Sequence, residues 1–238
     1  MKPYYQRAGV TLYHADCRDV LPGLPLVDLL VTDPPYGVNA KGGSKRTKAL
    51  PLPGIANDSP ENAGVVRECV SVAWDRLRSG RHAYVFGPFD LLALPDAAGL
   101  CDLVWDKVTI GTGTVEGVWA QQHERIAFAA KLSRTQGDGS RVARIRRGTV
   151  LRHQRPNSTQ VQHVTEKPVP LLRELIEMSS RHGETVLDPF AGSGSTLVAA
   201  LIEGRQAIGI ELDEPWCEVA AKRLDALTAQ GSLFGGAP

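Results

Sequence analysis

The stretch TVLDPFAGSGST at residues 185–196 combines a short apolar run, a glycine-rich turn and the start of a second apolar segment. This order is typical of a β-strand that turns sharply into an α-helix. Gly192 and Gly194 let the backbone turn tightly and approach a bound molecule closely. The stretch therefore predicts an α/β fold with a ligand site beside this turn.

The next apolar run, Ala207–Glu211, ends in a carboxylate. In open α/β sheets ligands bind at the carboxyl ends of the strands, where an acid typically accepts hydrogen bonds from ribose hydroxyls. Glu211 is therefore the candidate ribose-binding residue. The chain has no phosphate-binding G-x-x-x-x-G-K-[ST] loop, no G-x-S-x-G nucleophile elbow and no three-glycine dinucleotide turn. S-adenosyl-L-methionine, which has no phosphate, fits this turn better than a dinucleotide does.

Apolar runs bounded by turn residues alternate with segments of helical periodicity along most of the chain. The predicted strands are Val10–His14, Val27–Thr32, His82–Gly87, Leu103–Val108, Arg125–Ala129, Thr185–Leu187 and Ala207–Glu211. The predicted helices include Val66–Leu77, Leu172–Ser179, Leu197–Ile202 and Trp216–Leu227. Several strands are apolar throughout, so both faces of the sheet must be covered. We therefore predict a doubly wound, mostly parallel, Rossmann-like sheet with helices on both faces.

The length and composition of the chain indicate one main domain and argue against a membrane protein, a disulfide-rich protein and a metal-binding protein. The 238 residues and 42% hydrophobic content suffice for one main α/β domain with a small insertion. The chain has no apolar run of about 18 residues and no apolar N-terminal signal, which predicts a cytoplasmic protein without a membrane segment. The four cysteines are widely spaced and the histidines form no H-E-x-x-H motif. Neither a disulfide framework nor a metal site is expected.

A second motif, Asp33-Pro34-Pro35-Tyr36, directly follows the apolar run Val27–Thr32. The prolines fix φ and remove two backbone donors, which makes the turn rigid and leaves carbonyl oxygens pointing outward. The Asp33 carboxylate and the Pro34 carbonyl could both accept hydrogen bonds from one amino group, while Tyr36 offers a flat face. Two acceptors favour the nucleophilic, pyramidal form of an aromatic amine. The motif predicts direct methyl transfer to a nucleobase flipped out of duplex DNA.

Basic residues are concentrated in two segments, although the net charge is only +1. Residues 131–155 contain eight basic residues and one acidic residue, and residues 41–48 contain four basic residues and no acidic one. This segregation is typical of a surface that binds the phosphates of double-stranded DNA, and two solvated basic loops are the alternative. The candidate phosphate-binding residues are Lys41, Lys45, Arg46, Lys48, Arg144, Arg146, Arg147 and Arg152.

The order of these motifs resembles the DNA amino-methyltransferases of the permuted β group, in which D-P-P-Y precedes D-P-F-x-G-S-G. The similarity extends from Tyr13 to Leu224. Further stretches are similar to the family's cofactor-adenine segment, its W-x-K and H-E pairs and its H-x-T-x-K-P stretch: His14-Ala15-Asp16-Cys17, Trp105-Asp106-Lys107, His123-Glu124 and His163–Pro168. The resemblance implies a circularly permuted methyltransferase sheet that uses S-adenosyl-L-methionine and acts on DNA.

The resemblance also implies roles for individual residues. Asp16 and Cys17 would contact the adenine of the cofactor, and Thr165 and Lys167 would hold its carboxylate end. The other expected cofactor-binding residues are Asp33, Asp188, Pro189, Phe190, Gly192, Gly194, Thr196 and Glu211. The expected catalytic residues are Asp33, Pro34, Pro35 and Tyr36. The W-x-K and H-E pairs receive no definite role.

The expected domain division follows from the same motifs. Residues 1–130 and 163–238 would form a single methyltransferase domain, and residues 131–162 a short basic insertion for target recognition. Residues 38–60 would form a mobile loop after the catalytic motif. Because the insertion is short for the family, recognition of the DNA sequence is expected to be short or relaxed.

The leading interpretation is methylation of adenine N6, since the family's cytosine-N4 members more often carry serine in place of Asp33. Cytosine-N4 methylation and a catalytically silent DNA-binding or cofactor-sensing module are the alternatives. Cytosine-C5 methylation is disfavoured because the chain lacks a Pro-Cys dipeptide that would supply a nucleophile. The permuted order disfavours methylation of RNA or of a protein glutamine. The sequence leaves open whether the chain forms a homodimer and whether a companion restriction nuclease exists.

Overall fold

The computed structural model describes residues 1–35, 60–109, 119–132, 147–155 and 166–233. Within these ranges the strands are β1 Tyr5–Arg7, β2 Val10–His14, β3 Val27–Thr32, β4 Leu77–Phe86, β5 Ala97–Asp106, β6 His123–Lys131, β7 Val150–Arg152, β8 Thr185–Asp188 and β9 Gln206–Glu211. The α-helices are α1 Cys17–Val20, α2 Ala63–Arg76, α3 Val169–Ser179, α4 Ser195–Ile202 and α5 Glu214–Leu233.

The described strands form one sheet in the order β1-β2-β9-β8-β3-β4-β6-β5-β7. The five adjacent strands β2-β9-β8-β3-β4 are parallel to one another, and β7 is parallel to β5. The pairings of β1 with β2, of β4 with β6 and of β6 with β5 are antiparallel. The sheet is therefore mostly parallel, which confirms the predicted fold class.

Each face of the sheet carries its own apolar core, because successive side chains of a strand point to opposite faces. Leu29 and Val31 of β3 pack in a cluster with residues of α3, α4 and α5. Leu30, between them, packs in a second cluster with residues of α1 and α2, which includes the fully buried Trp74. Helices therefore cover both faces, as the uniformly apolar strands predict.

The sequence prediction differs from the structure at a few elements. β2 and β3 have the predicted bounds, whereas α2 ends at Arg76 and Leu77 already begins β4. Strand β1 and helix α1 were not predicted. Strand β7, also missed, lies within the basic segment at residues 131–155 and is held by parallel pairing of Val150 with Val104 of β5. The predicted division into domain and insertion remains a prediction.

The first and the last elements of the described chain contact each other. Strand β2 pairs with β9 from Val10 with Ala207 to His14 with Glu211. Asp225 of α5 accepts hydrogen bonds from Tyr5 and Arg7 of β1. This arrangement fits the predicted permutation. Among the described residues, none of the helices has the combination of length and apolar character that spanning a bilayer requires.

The turn after β8 depends on the absence of a side chain at Gly194. This residue has φ of +79°, and a Cβ built on it would lie 2.8 Å from Cβ and 3.2 Å from Cα of Ala220 on α5. The turn therefore packs directly against the helix backbone.

We predict that Gly194→Ala lowers the free energy of unfolding by about 2–4 kcal/mol, since it combines overpacking with a left-handed backbone. Gly64→Ala in α2 is the matched control, because a Cβ there meets nothing within 4 Å. Urea denaturation of the two variants checks the prediction. A Gly194→Ala variant as stable as Gly64→Ala would contradict the packing argument.

Candidate active site

The two motifs singled out in the sequence lie at the same edge of the sheet. Strands β3 and β8 are parallel neighbours, with Leu29 paired to Val186 and Leu30 to Leu187. At their carboxyl ends the hydroxyl of Thr32 donates a 2.8 Å hydrogen bond to the Asp188 carboxylate, and both residues are buried. The prolines after Asp33 and the glycine-rich turn therefore start from adjacent strand ends.

The buried Asp188 carboxylate forms hydrogen bonds with residues in and around the glycine-rich turn. Its carboxylate accepts hydrogen bonds from the Thr32 hydroxyl, from the Phe190 backbone N–H and from the Thr196 side chain. Burial raises the pKa of Asp188 to about 6, against the opposing effect of these hydrogen bonds. Pro189 is buried, as is Asp188. Phe190 is partly buried and packs against the second core cluster. Asp188 thus shapes the turn that follows it.

Glu211 lies directly beside that turn, at the end of β9. Its carboxylate accepts 2.8 Å hydrogen bonds from the backbone N–H groups of Gly192 and Asp213. Burial raises the pKa of Glu211 to about 7. Gly192 has φ of +51°, and the space that a Cβ would take there is open. A carboxylate acceptor beside an open glycine turn fits the ribose hydroxyls of a nucleoside, which can donate hydrogen bonds to it.

Asp16 and Cys17 lie at the end of β2, next to β9. The Ala15 N–H donates to the Glu211 carbonyl oxygen, which brings this segment close to the ribose-binding candidate. The Asp16 side chain caps α1 and accepts from the Arg18 N–H and guanidinium, whose hydrogen bonds lower its pKa. Cys17 is buried beside Cys69 of α2. The structure therefore places the Asp16–Cys17 segment, Glu211 and the glycine-rich turn on neighbouring strands β2, β9 and β8.

Asp33 belongs to a group of four charged side chains, together with Lys167, Glu124 and Lys107. The Lys167 ammonium lies 2.7 Å from the Asp33 carboxylate and 2.8 Å from Glu124. Glu124 in turn pairs with Lys107 at 3.1 Å. The motifs Trp105-Asp106-Lys107 and His123-Glu124 therefore contribute to the surroundings of Asp33. Sequence reasoning noticed these pairs but did not connect them with the aspartate, because the connection depends on the order of the strands.

Several predicted site residues lie outside the described residues: Tyr36, Lys41, Lys45, Arg46, Lys48, Arg144, Arg146 and Thr165. Of the predicted phosphate-binding residues, Arg147 and Arg152 are described. Arg147 pairs with Glu174 and Glu177 of α3, and Arg152 pairs with Asp106. Their role in binding DNA remains a prediction.

Known proteins resemble the chain in sequence and in fold. A type II methyltransferase of Streptococcus pneumoniae, M2.DpnII, is 26% identical over 94% of this chain and 93% of its own length. The DNA adenine methyltransferase YhdJ of Escherichia coli is 46% identical over 26% of this chain and 21% of its own length. The solved structure of the cytosine-N4-specific PvuII DNA methyltransferase has the same fold, with a TM-score of 0.69, 17% identity and coverage of 92% of this chain and 88% of that one.

The family model described as DNA methylase, N6 and N4 type, matches residues 102–222, which is half of the chain. That range contains the W-x-K and H-E pairs, Lys167, the glycine-rich turn and Glu211. The chain therefore belongs to the N6/N4 DNA methylase family, and it is a DNA amino-methyltransferase that uses S-adenosyl-L-methionine to methylate either adenine N6 or cytosine N4.

Proposed function

We propose that the chain methylates the exocyclic N6 of adenine in double-stranded DNA, by direct transfer to a base flipped out of the helix. The observation that carries the proposal is the position of Asp33, whose carboxylate is paired with Lys167 at the end of β3 and beside the glycine-rich turn of β8. A carboxylate held there by an ammonium that it shares with Glu124 is positioned to accept hydrogen bonds from an amino group.

The proposed chemistry requires the amino group to become a nucleophile. Bound S-adenosyl-L-methionine supplies an electrophilic methyl group on a sulfonium. The Asp33 carboxylate and the Pro34 carbonyl accept hydrogen bonds from the two amino hydrogens, which returns the lone pair from the purine ring to the nitrogen. Transfer would form the N–CH₃ bond and break the S–CH₃ bond, whose electron pair stays on the neutral thioether, and the proton lost by the amino nitrogen would pass to the Asp33 carboxylate. Pro35 keeps the turn rigid, and Tyr36 stacks on the flipped base. Flipping costs a few kcal/mol of unpairing and unstacking, which this stacking partly offsets.

The cofactor would be held along the edge formed by β2, β9 and β8. Glu211 accepts from the ribose hydroxyls, while Gly192 and Gly194 allow close approach of the backbone. Asp16 and Cys17 would border the adenine. The remaining proposed contacts are Asp33 after β3, Thr165 and Lys167 before α3, and Asp188, Pro189, Phe190 and Thr196 in and beside the glycine-rich turn.

Two features favour adenine over cytosine. Residue 33 is aspartate, whereas the resemblance to the family associates serine at that position with cytosine-N4 enzymes more often. The relative YhdJ is named as a DNA adenine methyltransferase, although the shared region covers 26% of this chain. The fold itself does not discriminate, since the cytosine-N4-specific PvuII enzyme shares it. Cytosine-N4 methylation is the second candidate.

Double-stranded DNA would bind over the basic segments at residues 41–48 and 131–155. Relatives such as M2.DpnII are named type II methyltransferases, which supports a role in restriction and modification. A companion nuclease, a homodimer and the division into a methyltransferase domain with a basic insertion remain predictions. A catalytically silent module is disfavoured, because Asp33 and Glu211 are both in place.

The base assignment predicts that DNA from cells expressing the chain contains N6-methyladenine. Enzymatic digestion and mass spectrometry of the nucleosides measure both candidate products, and sequencing with detection of modified bases reports their context. Cells expressing the Asp33→Asn variant are the control for methylation by the host. N4-methylcytosine in place of N6-methyladenine would refute the adenine assignment and leave the family assignment intact.

The role of Asp33 predicts that Asp33→Asn lowers methyl transfer to DNA by about 100-fold or more, because it removes the charged acceptor. Binding of S-adenosyl-L-methionine, measured by calorimetry, should change by less than about threefold, since asparagine keeps an oxygen acceptor at position 33 and the ribose acceptor Glu211 is retained. Asp28→Asn is the matched control, because Asp28 lies on the same strand and pairs with Arg78 and Arg81. Normal turnover by Asp33→Asn would exclude the proposed role.

The raised pKa of Glu211, about 7, predicts a pH dependence of cofactor binding. The carboxylate accepts hydrogen bonds best when ionised, so affinity should be full above pH 7 and fall as the pH drops through that value. Glu211→Gln should weaken binding by about tenfold at pH 8 and flatten the dependence. Calorimetry at pH 6 and pH 8 tests this, with Glu203→Gln, which removes an acid paired with Arg173, as control. An unaltered pH dependence in Glu211→Gln would show that another group titrates.

A further inference from the structure

Asp33 is the last member of a row of four charged side chains with alternating sign. Lys107 pairs with Glu124 at 3.1 Å, Glu124 with Lys167 at 2.8 Å, and Lys167 with Asp33 at 2.7 Å. The side chains of Lys107 and Lys167 are 7% and 8% exposed, and those of Glu124 and Asp33 are 16% and 24% exposed. The row is therefore shielded from solvent and carries no net charge.

Strand order brings this row together. β6 is antiparallel to both β4 and β5, so Glu124 near its start lies at the edge where β4 and β5 end. Lys107 directly follows β5, and Glu124 is paired in register with Trp105. Each lysine also lies 5.1 Å from the centre of an aromatic ring, Lys107 over Trp105 and Lys167 over Phe86. The rings limit the positions that the two ammonium groups can take.

The charges in the row stabilise one another. Burial alone acts to lower the pKa of Lys167, but the carboxylates of Asp33 and Glu124 raise it above its ordinary value. Burial acts to raise the pKa of Glu124, and the two lysines lower it below its ordinary value. Lys167 and Glu124 are therefore held in their charged forms, whereas burial lowers the pKa of Lys107 against the opposing effect of Glu124.

We propose that Glu124 and Lys107 are positioning residues for methyl transfer, which set through Lys167 how tightly the ammonium holds the Asp33 carboxylate. The proposal rests on the proposed function of Asp33 as the acceptor of the base's amino hydrogens. Lys167 shares its charge between two carboxylates in the structure. When Glu124 is neutral, the Lys167 ammonium is attracted more strongly to Asp33. A carboxylate held more strongly by an ammonium is a weaker acceptor of hydrogen bonds from an amine.

Lys107 balances Glu124 from the other side. Without the Glu124 charge, two buried ammonium groups remain beside a single carboxylate, Asp33. When both Glu124 and Lys107 become neutral, Lys167 and Asp33 remain as one balanced pair. Removing one partner from a buried ion pair leaves an uncompensated charge, whereas removing both often costs little. The proposal therefore predicts that a second substitution restores what the first one removes.

The test compares Glu124→Gln, Lys107→Met and the double variant K107M/E124Q in steady-state methylation of duplex DNA. Glu124→Gln should lower kcat by about tenfold, with KM for DNA and Kd for S-adenosyl-L-methionine within about twofold of wild type. K107M/E124Q should return kcat to within about threefold of wild type. Glu124→Asp, which keeps the charge, should also retain kcat within about threefold.

Glu184→Gln is the matched control for stability. Glu184 has the same side-chain exposure as Glu124, 16%, and pairs with the buried Arg81 before β8, at the opposite edge of the sheet. Both single glutamate variants should lower the thermal unfolding temperature, because each leaves a buried cation with less compensation. Only Glu124→Gln should lower kcat. A fall in kcat that follows unfolding temperature across both variants would reduce the row to a structural feature.

Other outcomes separate this proposal from the proposed function. If Asp33→Asn retains turnover, the role of Asp33 itself is wrong. If Asp33→Asn abolishes turnover while folded Glu124→Gln keeps the wild-type kcat, only the positioning role is overturned. If Glu124→Gln fails to fold, K107M/E124Q decides, since a folded double variant with kcat reduced by tenfold or more contradicts the expected restoration. The base methylated, adenine or cytosine, affects none of these comparisons.

Discussion

The parallel pairing of β3 with β8 is the constraint on which the site depends. It places the end of one motif and the start of the other at neighbouring positions of a single sheet edge. The hydrogen bond from Thr32 to Asp188 fixes that relation where the strands end, and its burial makes it costly to break. A shift of either strand by one residue would turn Asp33 or Asp188 to the other face of the sheet. The amine acceptor and the cofactor turn would then no longer share an edge.

Much of this arrangement could be predicted from the sequence, because it follows from local rules. Apolar runs marked β2 and β3 with their observed bounds, and the rule that ligands bind at the carboxyl ends of parallel strands placed Glu211 beside the glycine turn. Strand β7 was not predictable in the same way. Its three residues lie in a polar stretch, and their extended conformation is stabilised by pairing with β5, a partner distant in sequence.

The contacts of Asp33 were even harder to predict from the sequence, because they also depend on residues that are distant along the chain. The resemblance assigned Lys167 to the carboxylate end of the cofactor, an assignment that stays a prediction. In the structure its ammonium lies between Asp33 and Glu124, residues from two different strand ends. Charge patterns along a sequence report where basic residues are numerous, whereas a single buried lysine is recognised only when its partners are placed around it. Lys107, buried after Trp105, illustrates the point.

These contacts also suggest why the target base is hard to infer from the fold. The cytosine-N4-specific PvuII enzyme shares the sheet, so the sheet does not select the base. Residue 33 is an aspartate in this chain. It supplies one of the two carboxylates that compensate the buried Lys167 ammonium. A serine at position 33 would remove one of the two carboxylates that pair with Lys167. Glu124 would then compensate the positive charges of both Lys167 and Lys107. The choice between aspartate and serine is thus coupled to the charge balance of the whole row. On the proposed mechanism, the acceptor strength of residue 33 depends on the motif together with these charged neighbours.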